Sequence, residues 1–244
     1  QNIDEVLIHR GRRHRSMSEE VILERGVNWE GANFGPFIMG LRMPDHVTTG
    51  LLERARLLNA PANKDLAGHI KSEHHYTIED RKWFLDNVGS FFGHYRRGHD
   101  DYHGLTRQLQ TEHGVSQFDI QYHLHDLWVN FMREGEFNPP HNHSGDLSFV
   151  TFLKLPPWED EIKNHIANSP EPGSLVFQNE LEEAPRHLKW KTIHVKVKPV
   201  VGVLWIFPAM LSHVVYPYKT PGERISVSGN MIYTNRDKFP KNYF

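Results

Sequence analysis

The sequence predicts a mainly β fold, a barrel or sandwich of strands with helices packed outside it. Two observations carry this. The first is a change of character near Gly114. Upstream, apolar residues recur at helical spacing; downstream, the chain is rich in β-branched and aromatic residues punctuated by Gly and Pro. The second is the segment 224–234, in which Arg224, Ser226, Ser228 and Asn230 alternate with Ile225, Val227 and Met231. Alternation of that kind is a strand with one polar face.

Each element follows from local chemistry. Residues 1–35 are polar and include the basic cluster at 9–15, which reads as a solvated arm. Residues 36–44 read as a strand ended by Pro44. Residues 45–60 read as a helix with Asp45 as N-cap and an apolar stripe at Val47, Leu51, Leu52, Ala55 and Leu58. A second helix is expected over 77–98, with Thr77 as its cap, acids in its first turn and Arg96-Arg97-Gly98 closing it. A third, shorter helix fits 100–114. Strands are then expected at 118–133, 147–155, 174–178, 192–198, 202–207, 212–217 and 224–234. Residues 156–173 form a long loop among them, the best candidate for a substrate lid. The expected organisation is one domain over 36–244, with a strand and helical flank at 36–114 and a β-barrel core at 115–236.

Composition excludes several function classes. The formal net charge is −2 with signs mixed along the chain, so there is no basic field for a nucleic-acid backbone. No apolar run approaches the ~20 residues of a membrane span, and the first residues lack the apolar segment of a signal peptide, so a cytoplasmic protein is expected. With 0 Cys, thiolate nucleophiles and Cys-based metal sites are excluded. Any metal must sit on His, Asp, Glu or backbone oxygen.

Two segments carry candidate chemistry. In Asn138-Pro139-Pro140-His141-Asn142-His143 the two prolines end a ladder, and the histidines follow on one face of an extended chain. In 202–213, a strand ends at Pro208 and His213 begins the next one. Three imidazoles from two neighbouring turns can occupy one face of an octahedral metal. Eleven residues after His213 comes Arg224, on the polar face of its strand. A barrel lumen holds an Arg only with an anion to pair it, and the guanidinium fork suits a carboxylate, with Ser226 adding a hydroxyl.

At these residues the chain resembles the iron(II)/2-oxoglutarate-dependent oxygenases. A His at a strand start, ten or so residues, then Arg-x-Ser resembles their C-terminal signature. The run Gly202-x-x-x-x-Phe207-Pro208 before His213 is similar to prolyl-hydroxylase-like members. The stretch from Trp128 to Pro156 resembles the first metal segment of a subfamily frequent in bacterial and phage genomes, which carries His-x-His before a strand. The resemblance covers about residues 118–234 and rests on the ordered set HxH, FPxxxxH, RxS.

The resemblance implies a double-stranded β-helix, the jelly-roll or cupin-type barrel, with the N-terminal helices packed outside. It implies Fe(II) on His141, His143 and His213, and 2-oxoglutarate and O2 as cosubstrates. It places the distal carboxylate of 2-oxoglutarate on Arg224 and Ser226, with Asn130 and Lys154 as weaker candidates. It also implies hydroxylation of an unactivated C–H bond in a peptide, amino acid or small molecule, in the cytoplasm, or in the host cytoplasm of a phage-encoded protein.

The usual family motif is His-x-Asp, and here His143 stands where the Asp would be. Strand alternation favours His143 as third ligand, and charge favours Asp146. The competing class is a cupin-type metal dioxygenase or isomerase without 2-oxoglutarate. The spacings Gly135-x5-His141-x-His143 and Gly202-x5-Pro208-x4-His213 fit it. The Glu that a cupin carries a few residues after HxH is absent, however, and Arg224 and Ser226 have no role there.

Overall fold

A computed structural model of the chain describes residues 29–33, 35–103, 121–167, 171–179 and 194–235. The basic cluster at 9–15 and residues 104–114 lie outside them. The end of the expected arm, Trp29–Asn33, is a strand (β1) paired antiparallel with β2, Phe37–Arg42.

Helix α1, Asp45–Ala55, begins one residue earlier than its sequence cap suggested. Pro44 is the N-cap, no side chain caps the helix, and Asp45 stands inside its first turn. β3 is Glu73–His75. Helix α2 runs from Ile78 to His103. It starts in a reciprocal cap: the Asp80 N–H donates to Thr77 Oγ1 (3.1 Å), and the Thr77 N–H and hydroxyl donate to Asp80 Oδ2 (3.3 and 2.8 Å).

α2 does not stop at Gly98. Arg96 Nε and Asp100 Oδ1 pair one turn apart at 3.1 Å across that position. A Cβ on Gly98 would lie 2.4 Å from Met39 Cε and 3.0 Å from Phe37 Cζ. The glycine therefore serves close packing of the helix on β2 rather than chain termination. Residues 100–103, expected in a third helix, belong to α2.

The remaining strands are β4 (Tyr122–Met132), β5 (Asn138–His141), β6 (Leu147–Lys154), β7 (Leu175–Gln178), β8 (His194–Val197), β9 (Val203–Pro208), β10 (Ser212–Val215) and β11 (Arg224–Tyr233). They form two sheets, one ordered β1-β2-β9-β6-β11-β4-β3 and the other β5-β10-β7-β8. From β4 to β11 the chain passes back and forth between the sheets, and the strand pairs are antiparallel. This is the double-stranded β-helix that the sequence resemblance implied. The loop expected over 156–173 contains a short helix, α3, Glu159–Lys163.

Strand alternation divides the core into two layers. Leu127 and Val129 of β4, Ile225 and Val227 of β11 and Leu204 and Ile206 of β9 meet Val47 and Leu51 of α1 and Phe84, Val88, Phe92 and Tyr95 of α2. At about 1.5–3 kcal/mol for each large side chain buried, this contact is what fixes the helices on the outer face. The other parity, with Met132, Phe152, Trp205 and Phe207, faces Phe177 and Val215 of the smaller sheet and forms the barrel interior. No helix among the described residues is long and apolar enough to cross a membrane.

Candidate metal centre

The two prolines do not end a ladder, as the sequence suggested; they lie inside β5. β5 is the edge strand of its sheet, where a missing N–H costs no ladder bond. Its register is bulged. His141 lies opposite His213 and Asn138 opposite Val215, so three steps along β5 match two along β10. The extra residue brings Asn138 and His141 to the same face, the one that Val215 presents to the interior. Beyond β5, the His143 N–H donates to the Ala209 carbonyl (2.9 Å), which ties the second histidine to the turn before β10.

His141, His143 and His213 converge, with one ligand nitrogen from each lying within 4.8 Å of the other two. Ring centroids are 4.3 Å apart for His141 and His213, 5.0 Å for His141 and His143, and 5.1 Å for His143 and His213. His141 Nδ1 lies 2.7 Å from the Pro139 carbonyl and His213 Nδ1 3.0 Å from the Leu211 carbonyl. A carbonyl only accepts, so both Nδ1 atoms carry the proton and donate. Each Nε2 keeps its lone pair.

Charge agrees with that tautomer. Burial, with the other two imidazoles adding to it, holds His143 down at about 3. Burial and His141 hold His213 at about 4, against the opposing Leu211 carbonyl. Burial also lowers His141. Three neutral imidazoles, two of them oriented by backbone carbonyls, are a donor set for a divalent first-row metal, and they fit Fe(II). Asp146 is engaged elsewhere: its Oδ2 accepts the Tyr233 N–H at 2.8 Å, and it is not in the convergent group.

Arg224 is 2% exposed, on the inner face of β11. Its Nη1 points at Met132 Sδ (3.2 Å), its Cζ lies 4.9 Å from the Phe152 ring centroid, and its Nε has no partner. No carboxylate among the described residues pairs with it, and burial pulls it down to about 10 against the favourable effect of Tyr218. Tyr218 holds this end of β11: its hydroxyl donates to the Met132 carbonyl (2.6 Å) and accepts the Arg224 N–H (3.2 Å). That role has no signature in the sequence, because an isolated Tyr after Pro217 has no periodic pattern.

Ser226 is buried beside Asn130, whose Nδ2 lies 3.5 Å from Ser226 Oγ and whose Oδ1 has no partner. Lys154 is half exposed, and its Nζ lies 3.5 Å from Glu223 Oε2, a carboxylate that Arg56 (2.6 Å) and Arg133 (3.0 Å) also approach. The expected lid is pinned in its described part. Glu161 accepts the Lys219 and Thr220 N–H groups and the Thr220 hydroxyl, and buried Trp158 packs edge-on against Tyr218 at 5.3 Å. Residues 168–170 lie outside the described residues.

Residues 126–230 match the family described as "Putative 2OG-Fe(II) oxygenase". No curated protein matches the chain. Among solved structures, the chain is similar to a Pseudomonas putida prolyl-4-hydroxylase (16% identity, 90% of this chain and 100% of that one, TM-score 0.48). It is also similar to a Trichoplax adhaerens prolyl hydroxylase in complex with a peptide fragment of the hypoxia inducible factor oxygen degradation domain (13%, 91% and 90%, 0.43). A third similar structure is HygX from Streptomyces hygroscopicus with nickel, 2-oxoglutarate and hygromycin B bound (9%, 89% and 87%, 0.49). Residues 126–230, which hold the histidine cluster and Arg224, are thus similar to the 2OG-Fe(II) oxygenases, a family of oxidoreductases whose metal is iron and whose cosubstrate is 2-oxoglutarate.

Proposed function

We propose that the chain is a hydroxylase that oxidises an unactivated C–H bond of a peptide, amino acid or small molecule, with Fe(II) held by His141, His143 and His213. The observation that carries this reading is that two groups share one barrel interior. One is a cluster of neutral imidazoles with their lone pairs free; the other is a buried arginine with no carboxylate. A buried guanidinium without a counter-charge is costly, and a dicarboxylate reaching from the metal to Arg224 removes that cost.

Fe(II), when bound, supplies the chemistry that couples oxidative decarboxylation of 2-oxoglutarate by O2 to oxidation of a substrate C–H bond, giving succinate and CO2. The chain's own residues hold and orient. The Pro139 and Leu211 carbonyls fix the His141 and His213 rings. Arg224 takes the distal carboxylate of 2-oxoglutarate through its fork, and Ser226 and the Asn130 amide add donors beside it. Met132, Phe152 and Trp205 keep that pocket dry, which strengthens the ion pair. No side-chain base is required.

His143 is the third ligand in this reading, because Asp146 already accepts a backbone N–H. Calorimetry with Fe(II) on His141→Ala and His213→Ala tests the site. Both variants are expected to lose high-affinity binding, and unchanged affinity in both would remove the metal centre from this position.

A further inference from the structure

A second set of unsatisfied groups lines the same interior. Glu73, on β3, is 1% exposed. The other buried acids of the described residues are well served. Glu136 accepts the Lys71 and Arg133 N–H groups (3.1 and 2.8 Å), Glu223 meets three cations, and Asp100 meets Arg96. Glu73 has only the Asn63 amide, at 3.4 Å.

β3 pairs Glu73 with Asn130, and Asn130 pairs with Ser226, so the three stand in one row across the inner face. The Asn130 Nδ2 faces Ser226, which turns its unpartnered Oδ1 along the row toward β3. Across the gap to the smaller sheet, Asn138 Oδ1 is also unpartnered. Gly68 lies between. A Cβ there would be 2.7 Å from Glu73 Oε1 and 2.4 Å from Asn138 Oδ1, so both oxygens stand on the side of Gly68 where any other residue would put its side chain.

Two unpartnered amide oxygens and a poorly served carboxyl that can ionise are the complement of a group with several N–H bonds and a positive charge. We propose that Glu73, Asn130 and Asn138 form a subsite for a protonated primary amine of the substrate. The inference rests on the oxygenase reading and narrows its substrate class. The bulge in β5 puts Asn138 on the same face as His141, three residues along an extended strand, roughly 10 Å away. An amine seated against Glu73 and Asn138 therefore presents a carbon about eight or nine bonds away to the histidine cluster, the reach of a long aminoalkyl chain.

Ligand-observed saturation-transfer NMR on the full chain, with n-pentylamine against n-pentanol, tests this. The amine is expected to bind at least about tenfold more tightly than the alcohol, the scale of a charge-assisted hydrogen bond. Glu73→Gln is expected to erase that preference while leaving Fe(II) affinity unchanged. Equal binding of amine and alcohol to the native chain overturns the proposal, as does a preference that survives Glu73→Gln. Should Glu73→Gln not fold, Asn138→Leu carries the same measurement, and the native comparison needs no variant. Fe(II) binding and succinate formation are measured without the amine, so failure here is distinct from failure of the oxygenase reading.

Discussion

His213 lies directly across a ladder from His141, while two residues further along β10 Val215 lies opposite Asn138, three residues back along β5. The extra residue falls in Pro139-Pro140 and puts both ends of the strand on the barrel's inner face. Deleting Pro140 should restore a regular register and turn either Asn138 or His141 outward, because a one-residue slip exchanges the faces. The deletion is expected to weaken Fe(II) binding by at least about a hundredfold while far-ultraviolet circular dichroism stays native, since β5 is an edge strand and the bulge is local. Native metal affinity in the deletion would mean that the bulge does not set the cluster.

The third ligand is decided by a pair of variants. His143→Ala should lose Fe(II) binding in calorimetry. Asp146→Asn should keep it and lose about 1 kcal/mol of stability, because its carboxylate oxygen accepts the Tyr233 N–H at 2.8 Å. The reverse pattern would return the site to two histidines and a carboxylate.

Arg224 should separate cosubstrate from metal. Arg224→Lys keeps the charge and loses the fork, and should weaken 2-oxoglutarate binding by about 1–3 kcal/mol with Fe(II) affinity nearly intact. Arg224→Met should be worse for 2-oxoglutarate and neutral or favourable for folding of the empty protein, since it removes a buried, unpaired charge. Unchanged 2-oxoglutarate affinity in Arg224→Lys would make Arg224 structural.

Much of this site was legible because strand periodicity is strict. Arg224 and Ser226 alternate with apolar neighbours, and His141 and His143 are two apart, so their faces could be assigned before any contact was known. The acceptor row was not legible. β3 is three residues long, too short for alternation to appear, and Glu73 lies in a polar stretch that reads as a loop. Gly98 suggests a stop because a helix-ending glycine and a close-packing glycine look alike until the partner strand, here with Phe37 and Met39, is in place. The double proline suggests a ladder end for a similar reason: it breaks a central ladder and is tolerated at an edge, and edge position is a property of the sheet.

Glu73 also predicts a pH effect. Burial, then the nearby Glu136 carboxylate, raises it from 4.5 to about 7. A raised carboxyl is neutral in the folded state where the unfolded chain has ionised it, so native stability is lost as pH rises from 4.5 through about 7. Glu73→Gln removes that loss. In urea unfolding the variant should match the native chain at pH 4 and exceed it at pH 8 by about 1–2 kcal/mol, allowing for screening. A constant difference at both pH values would show that Glu73 does not titrate in this range.

The most direct measurement is succinate. Aerobic incubation of the native chain with Fe(II), ascorbate and 2-oxoglutarate, with no other substrate, is expected to yield succinate above background. His213→Ala should give only background, and Arg224→Met should need far more 2-oxoglutarate for the same rate. Absence of succinate from the native chain, together with absence of any 2-oxoglutarate-dependent rise in its melting temperature, would contradict the oxygenase assignment and favour a barrel that uses its metal without 2-oxoglutarate.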